Sequence, residues 1–379
     1  MRLITYKFSE ISPMGNWTVQ KFNLNRVNLL AGLSGVGKSR ILNTIINLSL
    51  SIQKRRNISY GNWDLEFSIG NDTYQYHLNI KNDPGTNKNF VKEERLKKAD
   101  KVIISRNREK FEFNGDKLPK LSMEDIGIYL LREDPIIEPV YKELTKIYIR
   151  RNNPSYFQGP EAPLSGIPTR MLTHDKDTFT LEYIHDNFKD FSTQLYLLKK
   201  FHEETFREIE NYFKEIFPFV ENIDVVSLSE VPDISIPILS QDTFFPILTI
   251  RENKVSKQIP VFQLSSGMMR AIIQLVDIST MPKNSIYLID ELENSMGIRS
   301  LPTMLDILLN KSLDIQFIFT THHAYIFNNV DLKYWKILTR KGSNVKIMNG
   351  KKFKETFSKS YQDPFIQLIN SKLMENGII

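Results

Sequence analysis

The chain has 379 residues, a length that fits two or three domains at about 150 residues each. Hydrophobic residues make up 41% and charged residues 25%, which excludes a disordered or fibrous chain. Lys and Arg (50) outnumber Asp and Glu (44), and the net charge of +6 permits nucleic-acid contact without demanding it.

The elements can be read in chain order. Residues 1–31 alternate apolar and polar side chains in short runs and predict strands, the last being Val27, Asn28, Leu29, Leu30 and Ala31. A glycine-rich stretch follows, then an amphipathic helix from Lys38 to about Gln53 with Ile41, Leu42, Ile45, Ile46 and Leu48 at helical spacing. Residues 62–80 alternate with period two around Gly70-Asn71-Asp72, a hairpin, and 100–115 read as a further strand pair. From about 123 the period becomes helical and extends to 150, through Val140, Leu144 and Ile147. Four prolines between 151 and 170 mark an excursion. One long amphipathic segment then runs from Phe188 to Ile216, its aromatic stripe read as a packing face, and Pro218 ends it. Strands return over 222–262, followed by a helix at 267–280, a strand at 285–289, a helix near 298–310 and a strand at 315–320. A hairpin at 333–348 and a helix at 354–376 complete the chain.

Four motifs carry chemistry. Gly32-Leu33-Ser34-Gly35-Val36-Gly37-Lys38-Ser39 matches the phosphate-loop pattern and sits between a strand and a helix, as that loop requires. Glycines let backbone N–H groups converge on phosphate oxygens, and the helix N-terminus adds partial positive charge. Lys38 can reach the outer phosphates, the Ser39 hydroxyl can bind Mg²⁺, and Ser34 and Arg40 join Gly32, Gly35 and Gly37 as candidate nucleotide contacts. The apolar strand Ser285–Ile289 ends in Asp290 and Glu291, one placed to hold the Mg²⁺ through water and the other to polarise an attacking water. Leu264-Ser265-Ser266-Gly267-Met268 opens a helix, and Thr320-Thr321-His322-His323 closes the strand Ile315–Phe319.

In this order the motifs resemble an ABC-type ATPase head, whose signature helix lies shortly before the Asp–Glu strand. Asp290-Glu291-Leu292-Glu293-Asn294-Ser295 and the Thr-Thr-His ending are similar to those of the RecF/OLD/SMC-like branch. That branch includes AAA-type ATP-binding proteins of anti-phage systems of the Septu, retron and abortive-infection kinds. Two departures are Met296-Gly297-Ile298 in place of the usual Leu-His-Pro after that run and a Q-loop glutamine that no position clearly matches, while the 225 residues from Ser39 to Leu264 set the chain apart from a transporter head. The resemblance implies an α/β fold: a two-lobed ABC-type P-loop ATPase head, with mixed β-sheets and helices and an inserted α-helical region. Its parts would be 1–122 (head, with the phosphate loop), 123–219 (helical insertion) and 220–379 (head, with the remaining motifs). It implies ATP and Mg²⁺ as cofactors, with Lys38, Glu291 and His322 as catalytic groups and Ser39 and Asp290 as metal ligands. Ser265, Ser266, Gly267 and Asn294 would touch nucleotide across a homodimer that sandwiches two ATP molecules.

The 57 residues after His322 are too few for the Toprim nuclease domain of OLD proteins, so a separate nuclease or toxin is the expected effector partner. The alternative is a RecF-like DNA-binding ATPase clamp for repair or replication. Nucleic acid is the further candidate partner, with Lys54-Arg55-Arg56, Lys97-Lys98, Arg150-Arg151, Lys351-Lys352 and the set Arg106, Arg108 and Lys110 as basic clusters. The excursion at 152–170, beside the aromatic stripe, is the expected docking segment for the effector. There is no cysteine, so thiolate metal sites and disulfides are excluded. No signal peptide and no run of 18 apolar residues is present, so the expectation is a cytoplasmic protein without membrane contact.

Overall fold

The computed structural model describes residues 1–12, 15–55, 57–150, 166–174, 176–231, 242–294, 296–310 and 314–353. The chain opens with β1 (Arg2–Ser12), β2 (Gly15–Asn23) and β3 (Val27–Ala31), then α1 (Lys38–Ile52). Next come β4 (Gly61–Ile69), β5 (Asp72–Asp83), β6 (Lys88–Lys98), β7 (Lys101–Asn107), β8 (Phe111–Phe113) and β9 (Asp116–Leu118). Helices α2 (Gly127–Leu130) and α3 (Glu138–Thr145) lead to β10 (Ile147–Arg150). Beyond the excursion lie β11 (Ile167–Pro168), α4 (Leu181–Asn187), α5 (Phe191–Phe201) and α6 (Glu203–Ile216). Then follow β12 (Val220–Ser227), β13 (Thr243–Phe244), β14 (Pro246–Glu252), β15 (Ile259–Pro260) and α7 (Ser266–Thr280). The last described elements are β16 (Ser285–Ile289), α8 (Leu301–Leu309), β17 (Ile315–Thr320), α9 (Ala324–Asn329), β18 (Trp335–Lys341), β19 (Asn344–Asn349) and α10 (Gly350–Phe353).

Two compact units result. One holds Met1–Arg151, Lys283–Leu292 and Leu308–Ile379, and the other holds Asn152–Pro282 and Glu293–Ile307. In the first unit fourteen described strands form one sheet, in the order β10-β16-β17-β3-β18-β19-β2-β1-β4-β5-β6-β7-β8-β9. Strands β10, β16, β17, β3 and β18 run parallel to their neighbours, so their carboxyl ends share one edge. Every residue of β3, β16 and β17 is buried, which fits their largely apolar runs, and the polar side chains inside them are hydrogen-bonded: Asn28 donates to the Asn25 and Phe317 carbonyls and Gln316 to those of Leu3 and Asn25. Strands β4 and β5 pair antiparallel and alternate buried with more exposed positions, because one face is solvated. Helix α1 packs its buried stripe, including Ile41, Leu42 and Ile45, against α3, β10 and β17.

Three expectations are corrected here. The helical reading through Ile147 fails, because Ile147–Arg150 form β10, in register with Ile286–Ile289 of β16. A four-residue run is too short to display its own period, and the pairing with β16 decides it. The stripe from Phe188 to Ile216 is not one helix. Phe188 is extended, Asp190 caps α5 by accepting from the Thr193 N–H at 2.9 Å, and His202 breaks the chain again before α6. Arg106 is not a surface cation: it is 2% exposed, 4.0 Å from the buried Glu94 carboxylate, and donates to the Asp125 carbonyl at 2.8 Å. Glu94 in turn accepts from the Gly127 and Ile128 N–H groups at 2.6 and 3.1 Å and from the Tyr76 hydroxyl at 3.0 Å. Burial raises the Glu94 carboxyl despite these bonds. Lys54, Lys98 and Lys110 each pair with a carboxylate. Arg56, Arg151, the excursion up to 165, Ser295 and the helix expected at 354–376 lie outside the described residues.

The second unit is built around α7, whose residues from Met268 to Ile278 are all buried and which packs against α4, α5 and α6. The aromatic stripe is spent here on the core: Phe206, Ile209, Phe213 and Ile216 of α6 are buried, and Phe179 stacks on Phe201 with centroids 4.6 Å apart. Strands β12, β14 and β15 form a three-stranded sheet beside α5 and α6.

Candidate functional site

The site begins where β3 ends. Gly32 leaves the strand at φ 157°, and a Cβ there would lie 2.9 Å from the Leu338 carbonyl oxygen of β18, so the close approach requires glycine. Gly37 caps α1 at φ 108° with no side-chain hydrogen bond, and a Cβ there would press on the Trp17 ring at 3.1 Å. The first turn of α1 carries no acidic residue of its own, and its N–H groups and dipole favour an anion at its start. Lys38 is buried and its Nζ donates to the Gly32 and Leu33 carbonyls at 2.8 and 3.1 Å, which holds the ammonium over its own loop. Ser34, Gly35 and Ser39 are exposed. Arg40 lies with its guanidinium 4.4 Å from the centre of the Trp17 ring and donates to Glu10 at 3.0 Å.

The adjacent strands bring the other groups. Ser39 Oγ donates to Asp290 Oδ1 at 2.9 Å, joining the first turn of α1 to the end of β16. Thr320 Oγ1, at the end of β17, donates to the same Asp290 oxygen at 2.8 Å. That hydroxyl also accepts the Glu291 N–H at 2.7 Å. Glu291 is held in the left-handed region at φ 53°, an uncommon and strained conformation for a residue with a Cβ. One threonine therefore orients both carboxylate residues. Beyond it, His323 is spent on structure: its Nδ1 accepts the Tyr325 N–H at 3.2 Å and caps α9. His322 is exposed.

The donor set suits a hard cation: a hydroxyl and a carboxylate oxygen lie 2.9 Å apart. No group of three or more His, Asp or Glu residues is gathered for a metal among the described residues, so a divalent ion here would depend on phosphate and water for its other ligands. Ser265, Ser266, Gly267 and Asn294 belong to the second unit. Ser265 is the N-cap of α7 and accepts the Met268 N–H at 3.3 Å, while Ser266 begins the helix, exposed. A cavity of about 280 Å³ lies on the polar face of the antiparallel strands, lined by Asp64, Gln75, His77, Arg95 and Lys97 among others, and none of the phosphate-loop residues borders it.

Sequence reasoning assigned no role to Thr320, Trp17 or Arg340. Thr320 stands in the Thr-Thr-His-His run, so a signal existed. Trp17 and Arg340 reach the loop from distant strands and carry none.

Residues 178–328 match a family described as AAA domain, putative AbiEii toxin, Type IV TA system. The match covers the signature, the Asp–Glu strand and His322, and begins after the phosphate loop. No curated protein matches the chain. Among solved structures, an SmcHead bound to the C-winged helix domain of ScpA is 12% identical, with 92% of this chain and 98% of that chain covered at a TM-score of 0.53. The SMC head domain from Thermotoga maritima is also 12% identical, over 92% and 99% of the two chains, with a TM-score of 0.41. The fold is that of an SMC head: mixed α/β, with a largely helical unit inserted in sequence between its halves. No described helix is long and apolar enough to cross a membrane.

Proposed function

We propose that the protein binds and hydrolyses ATP and couples that cycle to a partner effector, a nuclease or toxin. The observation that carries the reading is the shared Asp290 oxygen, bonded by Ser39 of the phosphate-loop helix and by Thr320 beside Glu291. The loop N–H groups and Lys38 would bind the phosphates and offset their charge. Ser39 and Asp290 would hold Mg²⁺, which when bound neutralises charge on the phosphate oxygens. Glu291, aimed by the Thr320 hydroxyl, would take the proton from the attacking water, and His322 would contact the γ-phosphate. Ser265, Ser266, Gly267 and Asn294 would complete the site of a second copy, so hydrolysis requires a homodimer.

The effector role is supported by the toxin-associated family match over residues 178–328. The excursion at 152–170 would be its docking segment. A DNA clamp is the weaker reading, because Arg106 is consumed by the core and Lys54, Lys98 and Lys110 are paired. The test is Glu291→Gln: it should bind ATP, abolish turnover and elute as a dimer with ATP present. Wild-type turnover by that variant refutes the general-base assignment.

A further inference from the structure

The parallel strands deliver one more charged group to the loop. Strand β18 lies next to β3, with Ile337 opposite Ala31, and it continues past the phosphate loop to Arg340. Arg340 Nη1 donates to the Gly35 carbonyl at 2.9 Å. Its Nε–H is enclosed by protein and meets no acceptor among the described residues. The guanidinium is thus fixed to the exposed tip of the loop with donor capacity in reserve.

The peptide geometry gives this bond a consequence. In a trans peptide the C=O and the following N–H point in opposite directions. With the Gly35 carbonyl held by Arg340, the Val36 N–H of the same peptide points the other way and donates to the Leu33 carbonyl at 3.3 Å, which closes the loop on itself. Gly35 itself sits at φ 79°, a backbone conformation that glycine adopts without strain, so the tip of the loop depends on contacts from outside to hold its shape.

We infer that Arg340 is a positioning residue for nucleotide binding, which braces the tip of the phosphate loop through the Gly35 carbonyl. This rests on the ATP-binding reading above and deepens it. Lys38 supplies charge within the loop, whereas Arg340 holds the shape of its tip from outside it.

The test uses the full chain and a fluorescent ribose-labelled ATP. Arg340→Ala and Arg340→Gln should weaken binding about tenfold, the loss expected for one charge-assisted hydrogen bond. Turnover at saturating ATP should stay within about twofold, so the defect appears in KM and not in kcat. Arg340→Lys, which can still donate to the carbonyl, should recover most of the affinity. The melting temperatures without nucleotide should be the same for all four proteins. Unchanged affinity in Arg340→Ala overturns the inference, as does an affinity loss that tracks a lowered melting temperature and is not rescued by Lys. A wild-type protein that binds no ATP removes the function reading and this inference together; binding by wild type with no change in Arg340→Ala removes this inference alone.

Discussion

Replacing Thr320 by Val removes one oxygen and leaves the side-chain shape nearly intact at a site only 1% exposed. That oxygen makes two bonds, to the Glu291 N–H at 2.7 Å and to Asp290 Oδ1 at 2.8 Å. A neutral hydrogen bond contributes about 1 kcal/mol and one to a charged group about 1.5–3 kcal/mol. The left-handed backbone at Glu291 stores a further 1–3 kcal/mol, to order of magnitude, that this bond helps to hold. If about 2 kcal/mol of the lost interaction falls on the orientation of Glu291, kcat drops roughly 30-fold. Nucleotide affinity should change little, because Lys38 and the loop N–H groups are untouched. Steady-state phosphate release, set beside equilibrium ATP binding, separates the two effects. Thr320→Ser keeps the hydroxyl and should retain most of the activity. Wild-type kcat in Thr320→Val, or an equal loss in Thr320→Ser, refutes the reasoning.

Other perturbations have outcomes that follow from the packing. Gly37→Ala should abolish ATP binding, because φ 108° disfavours an L side chain and the new Cβ meets Trp17 at 3.1 Å; isothermal calorimetry reads this directly. Arg106→Met should destabilise the first unit by about 3–5 kcal/mol in urea unfolding, by leaving the Glu94 carboxylate buried without its cation. An unchanged urea midpoint would contradict the buried-pair assignment. Lys336, 1% exposed on β18, has its ammonium pushed down to about 8 by burial, although Nζ still donates to Asn349. Below pH 8 both the folded and unfolded lysines are charged and the burial penalty is complete. Between about 8 and 10.5 the folded lysine releases its proton first, so stability should rise with pH across that window. Lys336→Met should flatten this rise and raise stability near neutral pH, by up to roughly 3 kcal/mol. Urea titrations at pH 7.5 and pH 10 would show it, and a wild-type protein without that rise would contradict the assignment.

Much of the site was legible because its chemistry is local in sequence. The glycine spacing that opens a phosphate loop, the apolar runs of β3, β16 and β17, and the polar residues at their ends all lie within a few residues of one another. A strand buried on both faces is mostly apolar, any polar side chain within it being hydrogen-bonded as Asn28 and Gln316 are, and polar residues gather at its end. The Arg106 cluster and the helix through Ile147 were misread because the deciding partners lie elsewhere in the chain. Glu94 and the carbonyls at 121–125 claim Arg106, and β16 claims Ile147 across more than a hundred residues.

The chain order alone therefore determined where the glycine-rich loop lies and which strand ends carry the carboxylates. Tertiary structure decided how those residues are aimed. Thr320 reaches Asp290 across 30 positions, and Arg340 reaches Gly35 across 305. Motif spacing records what a residue does within its own turn or strand. The direction of a carboxylate or a peptide N–H is set by whichever strand the sheet places alongside, and that pairing is a long-range choice with no local period to reveal it.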